Sequence, residues 1–374
     1  MYIPEKTTLS ADSYTILNTI RQAVGGEFRA STPLVQNASD AQAYGLYVTG
    51  AGDAHNAFMQ SLINRIAQVM CLVKSYENHL KKFKRGILSA GEVIENVWIG
   101  LVLPEGFTQS VSNPGDCFEI NNPSNQTTMH PVNSKLVYKI TRNNDELMLA
   151  ITSDLLGFVS KIVEQLYNSA FWDEEIMMKY VLERAIIDNW DAVKVEVPVL
   201  TKDSAVDVMT VMKKTSMDME WMNDAHNIMR VPTSSPIEDQ FFFLTNKAAA
   251  IIDNNALAMA YNLEYRQFIG QREKINSFVP STIEQNRLDH IMAETVAQGL
   301  VPGYTAFTTA EKEKLASICA VTLDKDFLFI FDKLFRMTAI FDPLHLNDTI
   351  FLHIWKVYSY NPFAQIAVYV ETSG

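Results

Sequence analysis

The apolar positions of this chain change period several times, and each change marks a predicted element. Between 153 and 190 they recur every three or four residues, at Leu155, Leu156, Val159, Ile162, Val163, Leu166 and Tyr167, then at Ile176, Met177, Tyr180, Val181 and Ile187. This reads as two helices in series. Ser153 caps the first and Asp173 the second, with Glu174 and Glu175 where a helix dipole favours negative charge. The same spacing predicts helices over 11–24 (Tyr14, Ile16, Leu17, Ile20, Val24) and 54–72 (Phe58, Leu62, Ile63, Ile66, Val69, Met70). Further helices are expected over 206–217, 246–259, 263–269, 282–298 and 309–316, the last capped by Thr309.

Elsewhere the period falls to two. Segments 134–141 and 146–151 read as a hairpin around the turn 142–145, and 91–103, 192–200, 240–244 and 275–280 as single strands. From 318 onward the chain is almost entirely strand (318–323, 327–331, 335–341, 349–360, 363–370), broken by turn signals. In 349–360, Ile350, Leu352 and Ile354 face one way and Phe351, Trp355 and Val357 the other. Segments 1–9 look extended, 103–133 is turn-rich, and 301–307 is a loop. The polar stretch 25–53 is irregular and long for a connection, so it is either an arm lying on a neighbouring molecule or disordered. A hairpin excursion across 74–152 is marginal in water and needs a surface to lie on. Helices set against antiparallel strands make the fold class α+β.

Composition narrows the picture. The 374 residues permit two or three domains, and 48% apolar residues guarantee a core. A net charge of −12 argues against general nucleic-acid binding, which needs clustered cations. Three distant cysteines (Cys71, Cys117, Cys319) offer neither a metal spacing nor a disulfide framework, so a reducing compartment is expected. The first ten residues lack the apolar core of a signal peptide, and no run approaches 18 apolar residues, so no membrane partner is expected.

Catalytic and cofactor motifs are missing. There is no phosphate loop, and Gly50-Ala51-Gly52 has His55 where a dinucleotide fingerprint needs a third glycine. The histidines show no metal spacing, and His353 inside an apolar strand reads as a core residue. Asp324-Lys325-Asp326 is a turn with no glutamate to close a calcium loop. The dense methionines between 209 and 229 read as adaptable packing. No catalytic, cofactor or metal residue is expected. One charged motif remains, His79, Lys81, Lys82, Lys84 and Arg85 around Phe83. It is either a solvated strand edge or a basic tip that meets an acidic patch on a neighbour.

Four runs, SYTILNTIRQAV (13–24), AFMQSLINRIAQV through LKKFKRG (57–86), YNSA (167–170) and WKVYSYNPFAQIAVYV (355–370), resemble the major head proteins of small phi-29-type podoviruses. That resemblance implies the Hong Kong 97-type capsid fold. Residues 1–53 would be the N-arm and 74–152 the extended loop over an adjacent subunit. Helix 54–73, segment 153–200 with its spine helix, and strands 318–374 would form the peripheral domain, and 201–317 the axial domain. It also implies self-assembly through hexamers and pentamers into an icosahedral or prolate head in the host bacterial cytoplasm. The implied partners are identical copies, a portal protein, scaffolding protein, head fibres and genomic DNA, held non-specifically at the inner face. The phi-29 head protein carries an immunoglobulin-like domain after its last strand; the sequence stops at Gly374, and none is expected. Two other readings stay open: a portal or tail protein, and an enzyme with its site in 202–317.

Overall fold

The computed structural model describes residues 13–50, 52–69, 76–89, 92, 94–102, 125–128, 131–143, 146–147, 151, 155–259, 271–299, 306–342 and 344–372. The expectations for 1–9, Ser153, Cys71, Cys117, 103–124, 263–269 and 301–305 lie outside these residues. The chain divides into two compact units. The first is Met1–Lys81, Ser134–Glu175 and Asp332–Lys356; the second is Lys82–Asn133, Ile176–Phe331 and Val357–Gly374.

The first unit begins with four helices, α1 (Ser13–Val24), α2 (Gly26–Ser31), α3 (Ala38–Gly50) and α4 (Gly52–Val69). α1 and α4 match the apolar spacing. α2 and α3 replace the irregular stretch expected over 25–53. Their cause is local. Ala41, Tyr44, Gly45 and Val48 form a buried stripe at helical spacing. Asn37 precedes it as a cap, its Oδ1 accepting from the Asp40 N–H at 2.9 Å. α1 then fixes the turn between α2 and α3. The Asn18 side chain brackets Val35, donating to its carbonyl at 2.8 Å and accepting from its N–H at 2.9 Å. Arg21 donates to the carbonyls of Arg29 and Thr32, both at 2.8 Å. Leu17, Tyr44, Phe58, Leu62, Leu166, Tyr167, Ile350 and Leu352 are buried together as the core.

A four-stranded sheet has the order β1 (Lys84–Ile87), β9 (Leu328–Asp342), β10 (Asn347–Tyr360), β4 (Val132–Asn143). β9 is one strand where two were expected, so Asp332-Lys333 is no turn. β4 pairs with β10 and not with 146–151, whose described residues Glu146, Leu147 and Ile151 are helical. In β10 the expected alternation holds as far as Lys356, with Ile350, Leu352 and Ile354 buried and Phe351 and Trp355 half-buried; Val357, expected on the second face, is buried as well.

Residues Leu155–Asp188 form a single helix, α5, of 34 residues. It is roughly 50 Å long at about 1.5 Å per residue. The two-helix reading fails because Asn168-Ser169 and Asp173, poor helix formers, stop nothing without Pro or Gly. Helix propensity differs by under about 1 kcal/mol per residue and yields to tertiary packing.

The second unit is built on a five-stranded sheet in the order β5 (Lys194–Pro198), β11 (Ile366–Thr372), β8 (Ile318–Asp324), β6 (Gln240–Thr245), β7 (Gln271–Ile275). It is mixed and not purely antiparallel: β5 runs parallel to β11, and β6 to β7. All of β8 and nearly all of β6 are buried, which explains their unbroken apolar runs. β7 lies four residues earlier than the strand expected over 275–280. After the short α6 (Trp190–Val193) come α7 (Ala205–Glu220) and α8 (Asn246–Met259); Val208, Met212, Ala248 and Ile252 pack against Phe242 and Tyr369 of the sheet. α9 (Thr282–Ala297) and α10 (Thr309–Ala316) begin with capping boxes on Ser281 and Thr308, so the α10 cap is one residue before Thr309. β2 (Asn96–Ile99) and β3 (Asn125–Thr128) make an antiparallel ribbon.

Leu166 is 2% exposed in the first core. Leu166→Ala should therefore cost about 2–5 kcal/mol, read as a shift in the urea midpoint at unchanged slope.

Candidate functional site

Three consecutive carboxylates, Asp173, Glu174 and Glu175, sit in the middle of α5 and not at a helix start. Neighbouring side chains on a helix point about 100° apart, so each meets a different segment of the first unit. Asp173 accepts from the Tyr138 hydroxyl of β4 at 2.8 Å. Glu174, 2% exposed, pairs with Lys356 of β10, 4% exposed, and accepts from the Asn78 amide at 2.7 Å. Asp332 of β9 lies 3.6 Å from the same ammonium. Glu175 accepts from the Tyr76 hydroxyl at 2.9 Å and the His79 N–H at 3.1 Å, with His79 Nδ1 at 3.0 Å.

Two turns earlier on the same face, Asn168 accepts the Tyr76 N–H at 2.6 Å. From Asn168 to Glu175 the helix rises about 10 Å. Segment 76–79 is thus tied to α5 at two points, Tyr76 to Asn168 and to Glu175 and His79 to Glu175. The YNSA run thus has a physical role: Tyr167 fills the core and Asn168 holds a backbone. Sequence reasoning missed this set, although period two in β10 puts Lys356 on the buried face of Ile350, Leu352 and Ile354. A cation there demands a buried anion.

The basic segment is ordered by its own chain. Lys81 pairs with Glu77 one turn earlier. Lys81–Phe83 is a 3₁₀ turn, and Phe83 is buried against Phe241 and Phe243 of β6, with ring centroids 5.1 and 6.0 Å away. That anchor turns its neighbours outward. Lys82 pairs with Glu273 and lies over the Phe241 ring at 5.6 Å. Lys84, half-buried, opens β1. Arg85 pairs with Asp326, donates to the Lys325 carbonyl at 2.6 Å and covers the Phe329 ring at 5.8 Å. The Asp324-Lys325-Asp326 turn is thus the landing place of Arg85. His79 and Lys81 belong to the first unit and 82–85 to the second.

Among the described residues no group of three or more His, Cys, Asp or Glu could hold a metal. Burial pushes the Cys319 thiol up to about 12, with Glu371 adding to the shift, so it is inert as a nucleophile. His353 is half-buried and hydrogen-bonded to Thr338 at 3.2 Å.

The β2–β3 ribbon has two different faces. Asn96 donates to the Tyr360 carbonyl at 3.1 Å and the Trp98 indole to the Pro232 carbonyl at 3.3 Å. On the opposite face Val97, Ile99 and Leu101 are 55–69% exposed.

The model of the Phi29-like phage major capsid protein family matches residues 17–370. The major capsid protein of Bacillus phage B103 is 26% identical over 371 residues, 98% of this chain and 74% of that protein. That of Bacillus phage PZA is 26% identical over 372 residues, 98% of this chain and 75% of that one. The fold is similar to a chain in the capsid structure of Staphylococcus phage Andhra (TM-score 0.58, 12% identity, 81% of this chain and 86% of that chain).

Lys356→Met should cost about 3–5 kcal/mol, because it strands a buried carboxylate. Adding Glu174→Leu should recover most of that loss in urea denaturation. A single variant within 1 kcal/mol of the parent would show the pair to be dispensable, on the scale set by exposed pairs.

Proposed function

The chain belongs to the Phi29-like phage major capsid protein family, and from that premise we propose that it adopts the Hong Kong 97-type form of subunit and closes into an icosahedral or prolate head around double-stranded DNA. It is a structural protein of the virion that associates with its own copies into shells, and it is not an enzyme. The single observation that carries this is the family match across residues 17–370.

The finer reading is supported by the shape of the parts. Residues 74–152 take the place of the extended loop, and the bare apolar face of β2 is what such a loop would lay on an adjacent subunit. α5 takes the place of the spine helix. Segments 54–73, 153–200 and 318–374 are assigned to the peripheral domain and 201–317 to the axial domain. The five-stranded sheet takes β5, β8 and β11 from the peripheral segments and β6 and β7 from the axial one, so in this reading the axial domain would share a sheet with the peripheral domain. Residues 1–53 are assigned to the N-arm; of these, α1, α2 and α3 send buried residues into the first core. Hexamers and pentamers of this subunit, a portal, scaffolding protein and head fibres complete the proposed set of partners. Assembly takes place in the host cytoplasm. The net charge of −12 suits a container whose lining does not grip DNA.

His79, Lys81, Lys82, Lys84 and Arg85 are proposed as contacts to acidic groups of the adjacent subunit. Lys81 and Lys82 keep 57% and 39% of their side chains exposed. Exposed pairs are each worth about 1 kcal/mol or less. Reversing Lys81 and Lys82 to Glu should therefore barely move the melting temperature of the unassembled chain while abolishing particles in negative-stain micrographs. Normal particles from that variant would refute the contact. The parent itself should give closed shells, alone or with a scaffold; small rings would instead indicate a portal.

A further inference from the structure

The second unit contains a buried acid that the shell-building role does not use. Glu183, on the C-terminal part of α5, is 1% exposed, and its Oε1 has no hydrogen-bond partner among the described residues. Lys179 lies one turn before it on the same helix face. The Lys179 ammonium is 3.1 Å from Glu284 Oε1 of α9 and 3.0 Å from the Asn276 amide oxygen. The Lys179 and Glu284 side chains are only 6% and 13% exposed.

We propose that Glu183, Lys179 and Glu284 form a proton-operated latch between α5 and α9. With a proton on Glu183, the Lys179–Glu284 pair holds the start of α9 down. Without it, two carboxylates compete for one ammonium and the latch opens.

The charged groups acting on Glu183 are Lys179 on its own helix and Glu284 on the facing one. With all three ionised, the buried group carries one uncompensated negative charge, a costly state. Burial raises the Glu183 carboxyl well above the usual carboxylate range; Lys179 opposes this and Glu284 reinforces it. Glu284 differs. Burial raises it, but the Ser281 N–H and hydroxyl and the Lys179 ammonium outweigh that and hold it low. Of the two carboxyls, Glu183 is therefore the one that holds its proton to the higher pH.

Glu284 also closes the capping box of α9, its Oε2 accepting from the Ser281 N–H at 2.8 Å. Drawing Lys179 away from it loosens the first turn of that helix. Leu288, Ile291 and Met292, all buried further along α9, stay in place. The sign follows from the raised pKa. Glu183 binds its proton more tightly folded than unfolded. The stabilisation is thus fully present below the ordinary carboxylate value of 4.5 and is lost as pH climbs through the raised value.

Hydrogen exchange of the full chain, corrected for intrinsic rates, tests this on peptides spanning the start of α9. Across the titration window, parent protection there should fall about tenfold per pH unit, the limit for opening coupled to one proton. Peptides of the first unit should not follow. Glu183→Gln, neutral at every pH, should keep the low-pH protection throughout. The same loss with rising pH in Glu183→Gln as in the parent would overturn the latch. A second measurement needs no variant. Carbon-13 spectra of the glutamate-labelled parent should show one carboxyl resonance titrating far above the rest, and its absence would equally overturn the proposal.

Discussion

A carboxylate and an ammonium removed from water must stay together, and the first unit is arranged around one such pair. Glu174 and Lys356 join the middle of α5 to β10, with Asn78 supplying a further donor. A buried pair of this kind contributes little net stability against an apolar substitute, but separating it is expensive. Its effect is on geometry. It sets which residue of a 34-residue helix stands opposite which residue of a 14-residue strand, where Leu and Ile alone would tolerate a slip. Asp173 and Glu175 repeat the constraint towards β4 and segment 76–79. Three adjacent residues thus fix three segments that lie far apart along the chain.

Much of this was legible in the sequence. The helices α1, α4, α7, α8, α9 and α10 and the strands β5, β6, β8, β10 and β11 follow from period and turn signals alone, because each buries one stripe or one face against a core. Failures fall where a local rule met a tertiary partner. Asp173 reads as a cap because its hydroxyl partner, Tyr138, is 35 residues away. Asp332-Lys333 reads as a turn because the ammonium near Asp332 belongs to another strand. The helices of 26–50 were hidden by small and polar residues around Tyr44, although the Asn37 cap was in plain view. Parallel pairing of β5 with β11 leaves no mark in either strand.

The basic segment shows the same split. Its composition announces charge, and the interleaved Phe83 looks incidental; in the fold Phe83 is the anchor, and the cations are what the anchor displays. What they meet on their own chain, Glu77, Glu273 and Asp326, could not be paired with them from sequence, since two of those acids lie about 190 and 240 residues away. The family to which the chain belongs was carried by short runs such as YNSA and LKKFKRG. Each contains a side chain that holds a distant backbone, Asn168 at Tyr76 and Arg85 at Lys325, which is why their identity matters more than their hydropathy.

The place of β11 in the five-stranded sheet has a consequence for how the protein is made. β11 separates β5 from β8, and its register sets Val368 beside Lys194, about 170 residues earlier. Such a distant closure is slow to find. On the ribosome, β5 emerges long before its neighbour β11, and β8 emerges before β11 too. Half-built sheets with open apolar edges are sticky. A nascent chain of this kind, synthesised in the numbers a shell requires, therefore passes through an interval in which unpaired strands of many copies must be kept from one another.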